Sequence, residues 1–282
     1  MSSYRVAIIG TGNSVSNHLT AVRALGDRVE LVAAVDLQEA RVKTVCEEND
    51  IPHWYTDANV MLEAEHPDLV CIVTPPTSHK PLAIACLEAG AWVLCEKPLC
   101  ASLAEFDEIT QAEARTGRYV STVFQWRFGS AAKHLKGLMN ANALGRPLVG
   151  IINSVLSPRQ ESHLRLDFQQ ATVEVSSLYR YSNEHWRFTL PDGSPNPEIV
   201  EQWDSLTENT PSSHAVQLRE VLDSITLNQR PPVSGDEARR ILEFAASLYK
   251  SALTGKPVFR GEITPDDPFY HAMNGATVER SE

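Results

Sequence analysis

Short apolar runs alternate with amphipathic stretches through the first 124 residues. Val6, Ala7, Ile8 and Ile9 form a run that ends at Gly10, and residues 29–35 form a second that ends at Asp36, with a helical pattern between them. Residues 38–48 read as a helix, 51–55 as a short strand or connection, and 58–65 as a short helix. The stretch D-L-V-C-I-V-T at 68–74 is almost continuously apolar, as a parallel strand buried on both faces must be. Two prolines stop it, Ser78 is placed to cap a helix over 81–89, and Gly90 closes that helix. A strand over 92–95, a helix over 102–115 ended by Gly117, and a strand over 119–124 complete the series. Strands and helices alternating at these lengths specify an α/β fold, a Rossmann-type doubly wound parallel sheet, over residues 1–124.

From about residue 125 the pattern changes. A helix over 131–140 is followed by strand signals at 151–156, 163–168, 172–179 and 186–190, with no helix between them. Leu164, Leu166 and Phe168 alternate with polar residues, the mark of an antiparallel sheet with one buried face. Residues 192–197 read as a loop. Two helices follow: one over 213–228 with Ala215, Leu218, Leu222 and Ile225 on one stripe, and one that Ser234 and Glu237 open as a capping box and Gly255 ends. Residues 125–282 are therefore expected to form a second, shortened α+β domain.

Composition narrows the partners. A net charge of −11 argues against nucleic acid or an anionic membrane surface. No apolar run approaches the ~20 residues of a membrane span, and the N-terminus passes straight into the first strand with no room for a signal peptide. All five cysteines fall in the first hundred residues, odd in number and without a C-x-x-C spacing. That suits buried thiols in a reducing cytosol, so a cytoplasmic protein without a metal site or disulfide framework is expected.

The chemistry gathers where parallel strands end, the edge at which open α/β sheets bind ligands. Gly10-Thr11-Gly12-Asn13 follows the first strand and opens a helix. Gly10 allows a tight turn, and Gly12 lets backbone approach a pyrophosphate, which the helix amides then face. The third glycine of G-x-G-x-x-G is Val15 here. A bare G-x-G also punctuates strands that bind nothing, but strand, turn, helix, second strand and terminal acid occur together. Asp36 can accept from a ribose 2′- and 3′-hydroxyl and would repel a 2′-phosphate, which favours NAD over NADP. Lys97, preceded by Glu96 and fixed by Pro98, can donate to a substrate hydroxyl and steady the alkoxide formed as hydride leaves; an exposed lysine pairing with Glu96 is the other reading. His79 stands at a helix start where it can touch cofactor or only solvent. Arg127 can meet an anionic or polyhydroxy substrate, or stack on Trp126.

The order G-T-G-N from Gly10, V-D ending at Asp36, T-P-P-T-S-H from Thr74 to His79, and C-E-K-P-L from Cys95 resembles the Gfo/Idh/MocA family, the glucose–fructose oxidoreductase and inositol dehydrogenase relatives. The resemblance covers the first domain and resumes from Ile151. It implies that Gly10, Thr11, Gly12 and Asn13 meet the pyrophosphate and Asp36 the adenosine ribose. Thr74, Pro75 and His79 would line the nicotinamide side, and Glu96 and Lys97 the cofactor. Lys97 would be the catalytic lysine, touching substrate as well. The implied activity is hydride transfer between NAD(P) and a secondary alcohol of a sugar or cyclitol, with association into a homo-oligomer left open.

One departure stands out. Relatives carry a glycine-rich stretch with an Asp and then a His before the strand that resembles residues 151–160, whereas here Ala143-Leu144-Gly145-Arg146-Pro147 runs almost directly into Ile151. The shortening implies an open sheet edge and an uncovered apolar face. It also raises an alternative function, a catalytically impaired dinucleotide-binding or partner-binding protein.

Overall fold

The computed structural model describes residues 3–153, 162–194 and 197–276. Eleven elements alternate as the apolar runs require: β1 (Tyr4–Ile9), α1 (Val15–Ala24), β2 (Val29–Val35), α2 (Glu39–Asn49), β3 (His53–Tyr55), α3 (Ala58–Glu65), β4 (Leu69–Ile72), α4 (His79–Glu88), β5 (Trp92–Cys95), α5 (Leu103–Thr116) and β6 (Val120–Thr122). The strands pair in parallel in the order β3-β2-β1-β4-β5-β6. Both halves wind outward from β1 and β4, the arrangement of a Rossmann sheet. β4 and β5 are buried at every position, which explains their unbroken apolar sequence.

The chain divides into two compact units: the described residues up to Val123 together with those from Leu218 onward, and Phe124–Gln217. In the second, α6 (Ser130–Asn140) precedes a four-stranded antiparallel sheet of β7 (Pro147–Asn153), β8 (His163–Phe168), β9 (Thr172–Ser176) and β10 (Trp186–Thr189), ordered β10-β9-β8-β7. Its core joins Ala131, Leu135 and Leu138 of α6 to Phe168 and Val173 of the sheet and to Ile199 and Trp203. The last two lie on α7 (Glu198–Asp204), a helix the sequence pattern does not announce. β7 begins four residues before the expected 151, and positions 154–156 of that expected strand lie outside the described residues. β7 is the sheet edge and is exposed throughout, with Leu148, Val149, Ile151 and Ile152 each 50–59% accessible, as the shortening implies.

The closing helices differ from expectation. α8 (His214–Leu227) carries the chain out of the second unit, and α9 (Gly235–Thr254) then buries Ala238, Leu242 and Ala246 in the same core as the strands of the parallel sheet. The short α10 (Pro268–His271) adds Tyr270 to it. Residues 125–282 thus do not pack as one body. The segment before α9 lies on the outer strand: Thr122 N donates to Val233 O at 3.0 Å and Ser121 Oγ to Pro232 O at 2.7 Å. An edge that would otherwise expose unpaired amides is covered. At the start of α9 the expected capping box is not complete. Ser234 Oγ turns away to Pro231 O, and Glu237 accepts at 2.8 Å from Val233 N, one residue before the N-cap. Ser78 likewise donates to Pro75 O and pairs with the Thr74 hydroxyl instead of capping α4.

Because Leu242 fills the core of the parallel-sheet unit, Leu242→Ala is expected to lower unfolding free energy by about 2–5 kcal/mol. Denaturant titration of full-length protein checks this; a loss within the ±0.5 kcal/mol usual for a surface site would remove α9 from that core.

Candidate functional site

β1, β4 and β5 end side by side, and three turns leave them. The first is the tightest. Gly10 takes φ +100°, donates to Val35 O at 2.8 Å, and sits where a Cβ would come within 2.5 Å of the Val73 carbonyl oxygen. No residue with a side chain fits there. Two residues on, a Cβ on Gly12 would meet nothing within 4 Å, so that face of the turn is open. α1 begins at Val15 with no acidic residue in its first turn, so nothing there offsets the positive helix end. Val15 is buried at the third glycine position. Beside the turn lies a cleft of about 620 Å³ whose wall includes Gly10, Gly12, Asp36, Arg41, Thr74 and Pro75. Asn13 is exposed at the turn.

Asp36 is 6% exposed and densely bonded. Its Oδ2 accepts from Thr11 N and Thr11 Oγ1, both at 2.8 Å, and its Oδ1 from Gln38 N at 3.0 Å. Arg41, on the first turn of α2, reaches back with Nη2 at 2.6 Å from Oδ1 and 2.8 Å from Oδ2, and with Nε at 3.2 Å from Oδ2. Burial pushes this carboxyl's pKa up, but the Arg41 guanidinium, the Gln38 and Thr11 amides and the Thr11 hydroxyl outweigh it and hold the pKa at about 2. Thr11, expected at a pyrophosphate, spends both its amide and its hydroxyl on Asp36. Arg41 does not stand out in the sequence. Its only signal is a cation five residues past the acid, on the turn that faces back toward it.

The other two turns are tied together. His79 is fully buried, its ring nitrogens 2.8 Å from Pro98 O and 2.7 Å from Thr74 O. Expected to line the nicotinamide side, it instead lies behind the cleft wall as a clasp between the Thr74 turn and the Glu96-Lys97-Pro98 turn. Thr74 and Pro75 do line the cleft. Glu96 accepts from the Lys97 amide at 3.2 Å and lies 3.0 Å from His18 Nε2, on the helix that follows the glycine turn. His18, also unmarked by the sequence, is 1% exposed. The Lys97 side chain is exposed. Arg127 belongs to the second unit, half-buried in a 3-10 turn over Gln125–Arg127, where the Trp126 ring packs edge-on against Tyr179. An Asp-x-x-x-His spacing occurs at Asp267 and His271, but Asp267 pairs with Lys250 and caps α10, and His271 lies 2.8 Å from Pro265 O.

All five cysteines are free and buried. Desolvation pushes the thiols of Cys71, Cys86 and Cys100 up to about 12 and that of Cys95 well above its usual range. Among the described residues no helix is long and apolar enough to cross a membrane.

The Gfo/Idh/MocA model, an oxidoreductase family with an NAD-binding Rossmann fold, matches residues 4–124. An inositol 2-dehydrogenase from Rhodococcus erythropolis is 34% identical, over 93% of this chain and 77% of its own length. The chain belongs to the Gfo/Idh/MocA family. The inositol 2-dehydrogenase 4 of Saccharopolyspora erythraea is also 34% identical, over 51% of this chain, and there the match spans only 43% of the relative's length. The fold of this Gfo/Idh/MocA chain is shared with the WlbA dehydrogenase from Chromobacterium violaceum, solved with NADH and UDP-GlcNAcA. The TM-score is 0.73 at 18% identity, covering 91% of this chain and 95% of that one. The 34% identity to that Rhodococcus erythropolis inositol 2-dehydrogenase over most of both chains gives no support to the alternative of an impaired protein.

The Asp36 network makes a pH-dependent contribution with a definite sign. A carboxyl with a folded pKa of about 2, against 3.8 as its ordinary value, adds about 2 kcal/mol of stability that is fully present above roughly pH 4. That contribution is lost as pH falls toward 2, about 1 kcal/mol of it by pH 3. Urea titrations of wild type and Asp36→Asn at pH 5 and pH 3 should show the gap between them narrowing by about that amount.

Proposed function

We propose that this chain is an NAD(P)-dependent dehydrogenase that transfers hydride between its nicotinamide cofactor and a secondary alcohol of a sugar or cyclitol. The observation that carries the reading is the joining of two turns. The helix that follows the open glycine turn at Gly12 is tied to the Glu96-Lys97-Pro98 turn by the 3.0 Å contact of His18 with Glu96. A dinucleotide fits the first on physical grounds: a turn that no side chain obstructs, a helix start without an acid, and a cleft that Gly12 and Asp36 both line. The substrate class is supported by the relatives, which are named as inositol 2-dehydrogenases.

The bound cofactor supplies the hydride acceptor at its nicotinamide ring. Gly10 and Gly12 shape the backbone that receives the diphosphate. Asp36, ionised at any working pH, stands at the ribose end and supports NAD as a cofactor. His79 and Glu96 hold the backbone from which Lys97 projects. The Lys97 amine binds the substrate oxygen and balances the negative charge that grows on it, an electrostatic role that strengthens toward the transition state. The buried thiols fit a reducing compartment, in keeping with a cytoplasmic site of action.

Steady-state assays with a panel of polyols and NAD test the chemistry. Lys97→Ala is expected to lower kcat by about 10²–10⁴ while NADH affinity in isothermal titration stays within a few-fold. Turnover unchanged by that substitution would refute the role. Gly12→Ala should fold normally, since its methyl meets only open space, and should weaken NADH binding at least tenfold. NADH binding that ignored the added methyl would place the diphosphate elsewhere.

A further inference from the structure

α9 carries two apolar stripes, and only one of them is spent on the core. Ala238, Leu242 and Ala246 face the interior of the parallel-sheet unit. On another side of the helix Phe244 and Leu248 stand 64% and 55% exposed, with Ile241 half-buried beside them. Residues 257–260 run back alongside, and just past them Gly261 N donates to Glu243 Oε1 at 2.7 Å. Between that segment and the helix lies an apolar groove of about 480 Å³. Arg240 and Arg260 line it together with Phe244, Leu248 and Val258, and Phe259, between two lining residues, is 73% exposed. Contiguous apolar surface of this kind marks a place where something docks.

The second stripe matches itself when reversed. Glu237, Ile241, Phe244, Leu248, Ser251 and Gly255 step by four and three residues in turn, the spacing of a paired-helix seam. Run in opposite directions on two copies, the seam sets Phe244 against Leu248 and Ile241 against Ser251. The same register sets Asp236, exposed in the first turn, against Lys256, exposed just past the helix end. We propose that this face of α9 is a homodimer interface, at which two copies pair the helix antiparallel about a twofold axis. Acidic helix starts then meet basic helix ends, and Ala245 and Ala252 flank the seam without holding the helices apart. A helix of 20 residues is about 30 Å long. Two such helices packed about 8–10 Å apart bury roughly 400 Å² per copy, about half of a standard interface. The groove wall at 257–260 adds to that area, and the total fits a weak dimer that forms as concentration rises. The pairing does not depend on the chemistry of the cleft.

Sedimentation velocity of the full-length protein from about 1 µM to about 200 µM, the range of weak interfaces, tests this. A reversible monomer–dimer equilibrium is expected. Phe244→Glu and Leu248→Glu should each weaken it at least tenfold, while the melting temperature stays within about 2 °C of wild type, as for a surface site. Leu148→Glu, on the exposed edge strand β7, should leave association unchanged. Ser247 lies beside the twofold axis, so a short bis-maleimide should join two copies of the Ser247→Cys variant, the native thiols being buried. A chain that stays monomeric throughout overturns the inference, as does a dimer indifferent to both α9 substitutions. A Ser247→Cys variant that dimerises without cross-linking overturns the antiparallel register and the inference with it. A monomer destabilised by Phe244→Glu, its face covered from within the chain, overturns it too.

Discussion

The close approach of Gly10 to Val73 governs this half of the molecule. β1 and β4 run side by side as far as Ile9 and Ile72, and the chain then turns away from β1 at a residue whose Cβ would strike the Val73 carbonyl. The connections from the two strands leave toward opposite halves of the sheet, so a crevice opens between them. Asp36, Thr74 and Lys97 all hang from its rim. The first is on the neighbouring strand end, the second on the strand end across the gap, and the third one strand further along. A side chain at position 10 would push β1 from β4 and deform all of them together.

What could be read in advance follows a physical division. Buried parallel strands must be apolar on both faces, so Val6 to Ile9 and Leu69 to Ile72 declared themselves, and glycines and prolines marked the turns between layers. The E-K-P and T-P-P motifs stood out because their prolines stop apolar strands abruptly at the edge where ligands bind. Other features depend on what arrives from far along the chain. Leu242 has the periodicity of any amphipathic helix, and nothing in it says which core it joins. The burial of His79 is set by the Pro98 carbonyl, nineteen residues away. Trp203 lies on a helix of only seven residues, too short for a periodic signal. Arg41 pairs with Asp36 only because α2 turns its first turn back toward the strand end.

Asp36 also shows how a buried charge is tolerated. An isolated carboxylate with 6% exposure would be neutralised by desolvation, whereas here two amides, a hydroxyl and a guanidinium keep it ionised. Those donors come from the glycine turn, the strand end and the following helix, so one anion fastens three segments of backbone at the mouth of the crevice. Rigidity of that kind limits the reorganisation that an incoming dinucleotide would have to bring about.

The distribution of sulfur has a practical consequence. Cys46, Cys71, Cys86, Cys95 and Cys100 all lie in the unit built on the parallel sheet, each at 4% exposure or less, and Phe124–Gln217 contains none. Alkylating reagents therefore see the native protein as inert and become a clock for the opening of that unit alone. The pace of modification under native conditions records how often the sheet lets solvent in, with no signal from the antiparallel half to subtract.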